Sequence, residues 1–115
     1  MLQTKRVYEA EKPADGLRIL IDKLWPRGIK KEDLALDEWV KEVAPSDKLR
    51  RWFGHKPEKW SDFLKEYHQE LDENESSWLP ILKKSRHHRV TLLYGSKDTE
   101  HNNAIALKQY LESKH

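Results

Sequence analysis

The chain has 115 residues, which is enough for one domain spanning residues 1–115 and too few for two of ordinary size. Its formal net charge of +2 is smaller than the dense basic surface of a strong nucleic-acid binder would give. Because the chain has no cysteine, disulfides, a thiolate nucleophile and cysteine-based metal sites are excluded.

The N-terminal segment predicts two strands separated by a loop. The opening MLQTKRVYEAEK lacks the apolar core of a signal peptide, and no apolar run approaches the length of a membrane span, so we expect a soluble cytoplasmic protein. Residues 5–8 predict a strand. Pro13 and Gly16 indicate that residues 9–16 form a loop. Residues 17–24 are apolar on both faces, which is typical of a central buried strand.

The middle of the chain predicts two helices after one ambiguous segment. Residues 34–43 (LALDEWVKEV) fit both a helix and a strand, and their spacing slightly favours the helix. Ser46 is a good N-cap for a short helix that ends at Gly54. Pro57 suits the first position of a longer helix, whose apolar side chains recur at i, i+3, i+4, i+7 and i+11. These side chains are Trp60, Phe63, Leu64, Tyr67 and Leu71.

The last third predicts a helix, a strand and a final helix. Ser77 would cap a helix over residues 78–84, and residues 89–94 (RVTLLY) form a second buried-strand pattern. Asp98 or Thr99 would cap the final helix. Because strand patterns are separated by helical ones, we expect an α/β fold with a mainly parallel sheet of about four strands and helices on its faces.

Two strand exits concentrate functional groups where α/β folds bind ligands, at the carboxyl ends of the strands. They are DKLWPRG (22–28) and YGSKDTEHN (94–102). Arginine and lysine beside a helix N-terminus form a natural anion site. Histidine titrates nearest to neutrality, so His101, expected in the first turn of the last helix, is a candidate acid or base, and His55 is a second.

Structural roles compete with these functions. Trp25 and Pro26 fit a core position and a rigid turn better than a stacking platform. The carboxylate of Asp22 can simply bond backbone N–H groups at the strand end. A single histidine in a turn is more often structural than catalytic, which weighs more against His55 than against His101.

Residues 83–89 (KKSRHHR) form the densest basic segment. Such a segment can contact phosphates, but cations at a helix C-terminus also suit the helix dipole. His87 and His88 are adjacent and point apart, which makes them a poor metal pair. Since no metal or cofactor motif is present either, we predict no metal and no cofactor.

Three blocks of the chain, DGLRILIDKLWPRG, WVKEVAPSDKLRRWFGH and TLLYGSKDTEHNNA, resemble the YeaO-like family of bacterial proteins. That family is part of a larger domain-of-unknown-function superfamily, and the resemblance extends over about residues 5–111. It implies a three-layer α/β/α fold and a strand, not a helix, over residues 36–43. It implies no particular activity.

The resemblance matches the family's motif at fifteen positions. They are Asp22, Trp25, Pro26, Arg27, Gly28, Lys31, Pro45, Ser46, Arg50, Trp52, His55, Tyr94, Lys97, His101 and Asn102. The family usually has arginine where this chain has Lys23, whose ammonium cannot make the planar two-pronged contact of a guanidinium. Longer relatives often carry cysteine in the second exit, and its absence here means that no thiol mechanism is implied.

Three functions compete, and we favour the first. It is a site for a small anionic ligand, phosphate-bearing or nucleotide-like, with or without catalysis. Its ligand-binding residues would be Arg27, Lys31, Lys97, Asn102, His55 and Trp25, and its catalytic residues would be His101, Asp22 and Tyr94. The second is a non-catalytic nucleic-acid or protein-binding module that uses the basic residues 83–89. The third is a structural adaptor whose charged exits are internal ion pairs.

Overall fold

The computed structural model describes residues 1–114, and its centre is a sheet of four parallel strands. The strands are β1 (Leu2–Arg6), β2 (Leu17–Leu20), β3 (Glu38–Trp39) and β4 (Val90–Tyr94), arranged in the order β1-β4-β2-β3. Every residue of β4 is buried, as expected for a central strand covered on both faces. The predicted α/β fold with a small parallel sheet is therefore confirmed.

All four α-helices found in residues 1–114 contribute to one core against the same face of the sheet. They are α1 (Asp47–Phe53), α2 (Trp60–Asp72), α3 (Glu75–Ser85) and α4 (Asn103–Glu112). Their apolar side chains meet Ile19, Ile21 and Leu92 of the sheet region. Short 3-10 helices occur at Pro13–Asp15, Lys31–Asp33, Lys41–Val43 and Pro57–Lys59.

The other face of the sheet is covered by loops and 3-10 turns instead of α-helices. A smaller core forms there around Val7, Leu20 and Leu93. Trp25 and Trp39 pack against it, edge to face with ring centroids 5.3 Å apart. The indole N–H of Trp25 also donates to the carbonyl of Ile29 at 2.6 Å. Trp25 therefore has the core and turn role that the sequence favoured.

The loop between β1 and β2 is held on this second face by a buried ion cluster. The Asp15 carboxylate, on a residue only 5% exposed, forms ion pairs with Lys5 at 2.8 Å and with Arg18. Thr91 Oγ1 donates to the Asp15 carbonyl at 2.6 Å. Burial alone would raise the pKa of Asp15, but hydrogen bonds from Lys5, the Lys12 amide and Arg18 outweigh it and lower that pKa.

The helix favoured by spacing for residues 34–43 is wrong. The segment contains the short strand β3 followed by the 3-10 helix Lys41–Val43. The family resemblance implied a strand in this segment. The reason is that β2 has a free edge: Ile19 pairs with Glu38 and Leu20 with Trp39 in parallel register. The amide of Val40 then donates to the Leu20 carbonyl at 2.9 Å. Tertiary pairing has overridden a local pattern that fitted either structure.

Three helix starts also differ from prediction. Pro57 opens the 3-10 helix Pro57–Lys59, and α2 begins at Trp60. The α3 helix begins at Glu75, so Ser77 lies inside it and does not cap it. The predicted short helix capped by Ser46 is confirmed as α1. The cap of α4 is Asn102, whose side-chain oxygen accepts from the Ile105 amide at 2.9 Å. The Asp98 carboxylate cannot serve, because it accepts the amides of Glu100 and His101 in the preceding turn. His101 consequently lies before α4 and not in its first turn.

Candidate functional site

A pocket of about 430 Å³ opens at the carboxyl ends of β1, β2 and β4. Its lining comes from the exits of all three strands, from α1 and α2, and from the start of α4. The two exits singled out in the sequence therefore do meet at one edge of the sheet, which is where parallel α/β folds place ligands.

Six of the nine predicted site residues line this pocket. They are Asp22, Trp25, Arg27, His55, Lys97 and Asn102. The other three, Lys31, Tyr94 and His101, are not among the lining residues. The predicted ligand-binding set is thus largely brought together, and His55, the second candidate acid or base, is in the lining, whereas His101, the first candidate, is not.

Asp22 ties the two exits to each other. One carboxylate oxygen accepts the Gly95 amide at 2.8 Å, and the other accepts the side-chain amide of Asn103 at 3.0 Å. Burial raises the pKa of Asp22, and the hydrogen bonds from Asn103 and Gly95 offset this only in part. The residue forms the floor of the pocket and connects β2 to the segment after β4.

We expect Asp22→Ala to lower the free energy of unfolding by about 1–3 kcal/mol, because the Gly95 amide and the Asn103 side chain lose their acceptor. Urea denaturation measures this change. Asp22→Asn keeps an oxygen for the Gly95 amide and should cost less. Equal stability of the wild type and Asp22→Ala would contradict the connecting role.

The charged side chains of the pocket lining are mostly cationic. Arg6, Lys23, Arg27, Arg50 and Lys97 line it against the single carboxylate of Asp22. Within residues 1–114, no hydrogen bond or ion pair engages the guanidinium of Arg27 or the ammonium of Lys97. This excess of positive charge suits an anion.

Two of these cations lie beside the start of α1. Lys23 donates to both oxygens of Asp47 at 2.8 Å, and Arg50 donates to one of them at 2.6 Å. Hydrogen bonds from Lys23 and Arg50 lower the pKa of Asp47 to about 2. Arg50 Nε is buried without a hydrogen-bond partner in the described part of the chain. Asp47 thus fixes both cations at the pocket wall and leaves a donor of Arg50 unused.

The remaining wall is aromatic and includes a residue of unusual backbone conformation. Phe53 and Phe63 stack with ring centroids 4.4 Å apart and both line the pocket. His55 lies in the left-handed region at φ 57°, which no other non-glycine residue adopts between residues 1 and 114. Such strain is common at binding sites, and histidine tolerates it better than most residues.

His101 makes contacts of its own outside the pocket lining. Its Nδ1 lies 3.0 Å from an Asp98 carboxylate oxygen, and its ring packs edge-on against Trp60 at 5.3 Å. The Glu100 amide is the main cause of a lowered pKa at Asp98. Tyr94 is buried in the core, which raises its pKa, and Lys31 is exposed on the 3-10 helix Lys31–Asp33.

Sequence reasoning missed the third strand exit. Arg6 and Tyr8, at the end of β1, line the pocket because every strand of a parallel sheet ends at the same edge. The sequence predicts the first strand over residues 5–8, which places Arg6 and Tyr8 inside it; β1 ends at Arg6 instead, so both side chains come to the pocket edge. Asn103 and Arg50 were not predicted as pocket residues, because only the fold brings them to the two exits.

The basic segment, residues 83–89, lies at the opposite end of the sheet from the pocket and comprises the last residues of α3 and the turn that leads to β4. Lys84 forms an ion pair with Glu38, while Arg86, His87 and His88 are exposed. Across residues 1–114, no three His, Cys, Asp or Glu side chains lie close enough to hold a metal ion. None of the helices in the same range is both long and apolar enough to cross a membrane.

Comparisons with known proteins agree with the resemblance read from the sequence. A model of the family described as "Inactive DUF488-N3 subclade" matches residues 1–115. The chain is 44% identical to the uncharacterised protein YeaO of Escherichia coli (strain K12) over 112 residues, which cover 97% of each chain.

A more distant relative is the uncharacterised protein Rv3073c of Mycobacterium tuberculosis (strain ATCC 25618 / H37Rv). It is 37% identical over 114 residues, covering 98% of this chain and 95% of the relative. No solved structure gives a significant match. Nine of the fifteen motif positions named above line the pocket, which makes the pocket the place where the family resemblance and the geometry coincide.

Proposed function

The chain belongs to the inactive DUF488-N3 subclade, and from that premise we propose that it binds a small anionic ligand, phosphate-bearing or nucleotide-like, without converting it. The ligand would occupy the pocket at the carboxyl ends of β1, β2 and β4. The observation that carries the proposal is the charge of the lining, where five arginine and lysine side chains face one carboxylate.

Internal pairing accounts for only part of these charges. A purely structural network would leave the cations paired with acids, as Lys23 and Arg50 are with Asp47. Arg27 and Lys97 have no such partner within residues 1–114 and are exposed to solvent at the pocket. Both side chains are therefore available to an anion from solution.

Binding without turnover fits three further facts. The family's own description carries the word "inactive". His101, the proton-transfer group favoured by the sequence, pairs with Asp98 and stands outside the pocket lining. A ligand held by the cations would meet Asp22, whose oxygens already accept two hydrogen bonds.

We expect Arg27→Ala to weaken the binding of AMP and of inorganic phosphate about tenfold, because one charge-assisted contact of roughly 1.4 kcal/mol or more is lost. Stability should hardly change, since the Arg27 side chain is exposed and its carbonyl, which Tyr8 contacts, remains. Isothermal titration calorimetry at low salt and thermal shift measure the two quantities.

Lys48→Ala is the matched control, because Lys48 is an exposed cation of α1 that does not line the pocket. It should leave the affinity for both probes unchanged. The proposal fails if neither probe binds the wild type at low salt. It also fails if Arg27→Ala loses stability while keeping its affinity.

A further inference from the structure

We infer that the ligand carries two anionic groups at opposite ends and an uncharged middle. The inference rests on the proposed function and specifies the class of its ligand. One anionic group would be held by Arg6 and Arg27, which we call the β1-side pair. The other would be held by Lys23 and Arg50, which we call the α1-side pair.

Contacts at the end of β1 define the β1-side pair. Arg6 Nε donates to the Ser96 carbonyl at 3.0 Å, and its guanidinium lies 4.7 Å from the ring centroid of Tyr8. The Tyr8 hydroxyl donates to the Arg27 carbonyl at 2.8 Å. Tyr8 therefore connects the end of β1 to the loop after β2 at Arg27, and Arg6 and Arg27 both line the pocket.

Asp47 defines the α1-side pair. Its carboxylate already joins Lys23 and Arg50, which shows that these two cations can share one anionic group. The pair keeps spare donors, because only one terminal nitrogen of the Arg50 guanidinium bonds Asp47. A second anionic group can use those donors without displacing Asp47.

The sheet order separates the two pairs. β4 lies between β1 and β2, so the exits of β1 and β2 are two strand spacings apart, about 10 Å. α1 follows β3, on the far side of β2 from β1. The Tyr8 and Asp47 contacts therefore anchor the two pairs on different sides of the pocket, where each pair can meet a separate anionic group.

The floor between the pairs has no excess of positive charge, because the Asp22 carboxylate stands against Lys97, which follows β4. Asp22 lies there, bonded to Gly95 of the β4 exit and to Asn103. Its carboxylate repels an anion placed in the middle of the pocket, and the nearby wall of Phe53 and Phe63 offers an apolar surface. The charges of the ligand are therefore expected at its two ends.

Calorimetry with a matched pair of sugar phosphates tests this inference. Fructose 1,6-bisphosphate carries a phosphate at each end, and fructose 6-phosphate carries one. We expect the bisphosphate to bind the wild type at least tenfold more tightly at low salt. Lys23→Ala and Arg27→Ala should each weaken bisphosphate binding about tenfold, because each removes a cation from a different pair, whereas Lys48→Ala should have no effect.

The outcomes separate this inference from the function on which it rests. If both sugar phosphates bind with equal affinity, the two-ended ligand is refuted while anion binding stands. If the bisphosphate binds more tightly but only one of Lys23→Ala and Arg27→Ala weakens it, the assignment of two pairs is refuted. If neither compound binds, both proposals fall.

Discussion

Asp15→Ala is expected to lower the free energy of unfolding by about 3 kcal/mol, one of the two largest effects we predict. Removing the carboxylate leaves the buried guanidinium of Arg18 without its counter-charge, and it also removes the partner of Lys5. The expected value is at the lower end of the range for broken buried pairs, because the Lys5 side chain is 15% exposed and can regain water. Urea denaturation at neutral pH measures the loss.

The pH dependence gives the same prediction an independent check. The pKa of Asp15 is lower in the folded chain than its ordinary value of 3.8, so its contribution to stability is complete above that value. The contribution is lost as pH falls through the lowered pKa of the folded state. The difference in stability between the wild type and Asp15→Ala should therefore shrink in strong acid.

Asp33→Ala serves as the control for charge removal, since Asp33 is an exposed acid on a 3-10 helix. Its stability should stay within about 0.5 kcal/mol of the wild type. A loss of less than about 1 kcal/mol for Asp15→Ala would show that the ion cluster does not anchor the loop.

Gly16→Ala is expected to cost about 3 kcal/mol or more through steric strain. Gly16 has φ 64°, and an added Cβ would lie 2.2 Å from the carbonyl oxygen of Arg89. That carbonyl cannot easily withdraw, because it accepts the Leu17 amide at 2.9 Å at the start of β2. The substitution thus forces apart the loop and the segment that leads into β4.

Gly28→Ala separates the cost of the backbone conformation from the cost of the steric clash. Gly28 has φ 78°, but an added Cβ would meet nothing within 4 Å. The free energy of unfolding should fall by only the conformational cost of about 1–2 kcal/mol. Thermal and urea unfolding of the two variants measure the difference, and equal losses would mean that the close approach to Arg89 relaxes freely.

The meeting of the two exits could be predicted from the sequence, because alternating strands and helices require a parallel sheet with all exits at one edge. Asp22 and Lys97 were therefore expected on the same side of the molecule. Contributions to the pocket from Arg50 and Asn103 could not be predicted, because they depend on how α1 and α4 pack.

The position of His101 depended on a choice among polar residues that local sequence does not decide. Asp98, Thr99 and Asn102 are all good caps, and only one side chain can accept the first amides of α4. The structure gives that role to Asn102, because Asp98 is occupied by the turn before it. A shift of a few residues in the helix start removes His101 from the helix.

The uneven covering of the sheet has a consequence for how the pocket moves. One wall, with Arg50, Phe53 and Phe63, belongs to helices packed into the main core, whereas Tyr8 and Arg27 come from irregular segments over the other face. Irregular segments with few buried contacts open locally at a lower free-energy cost than packed helices do. The wall that contains Tyr8 and Arg27 can therefore fluctuate while the wall formed by the helices stays folded. The apparent affinity for a ligand then scales with the fraction of molecules in which the two walls are together.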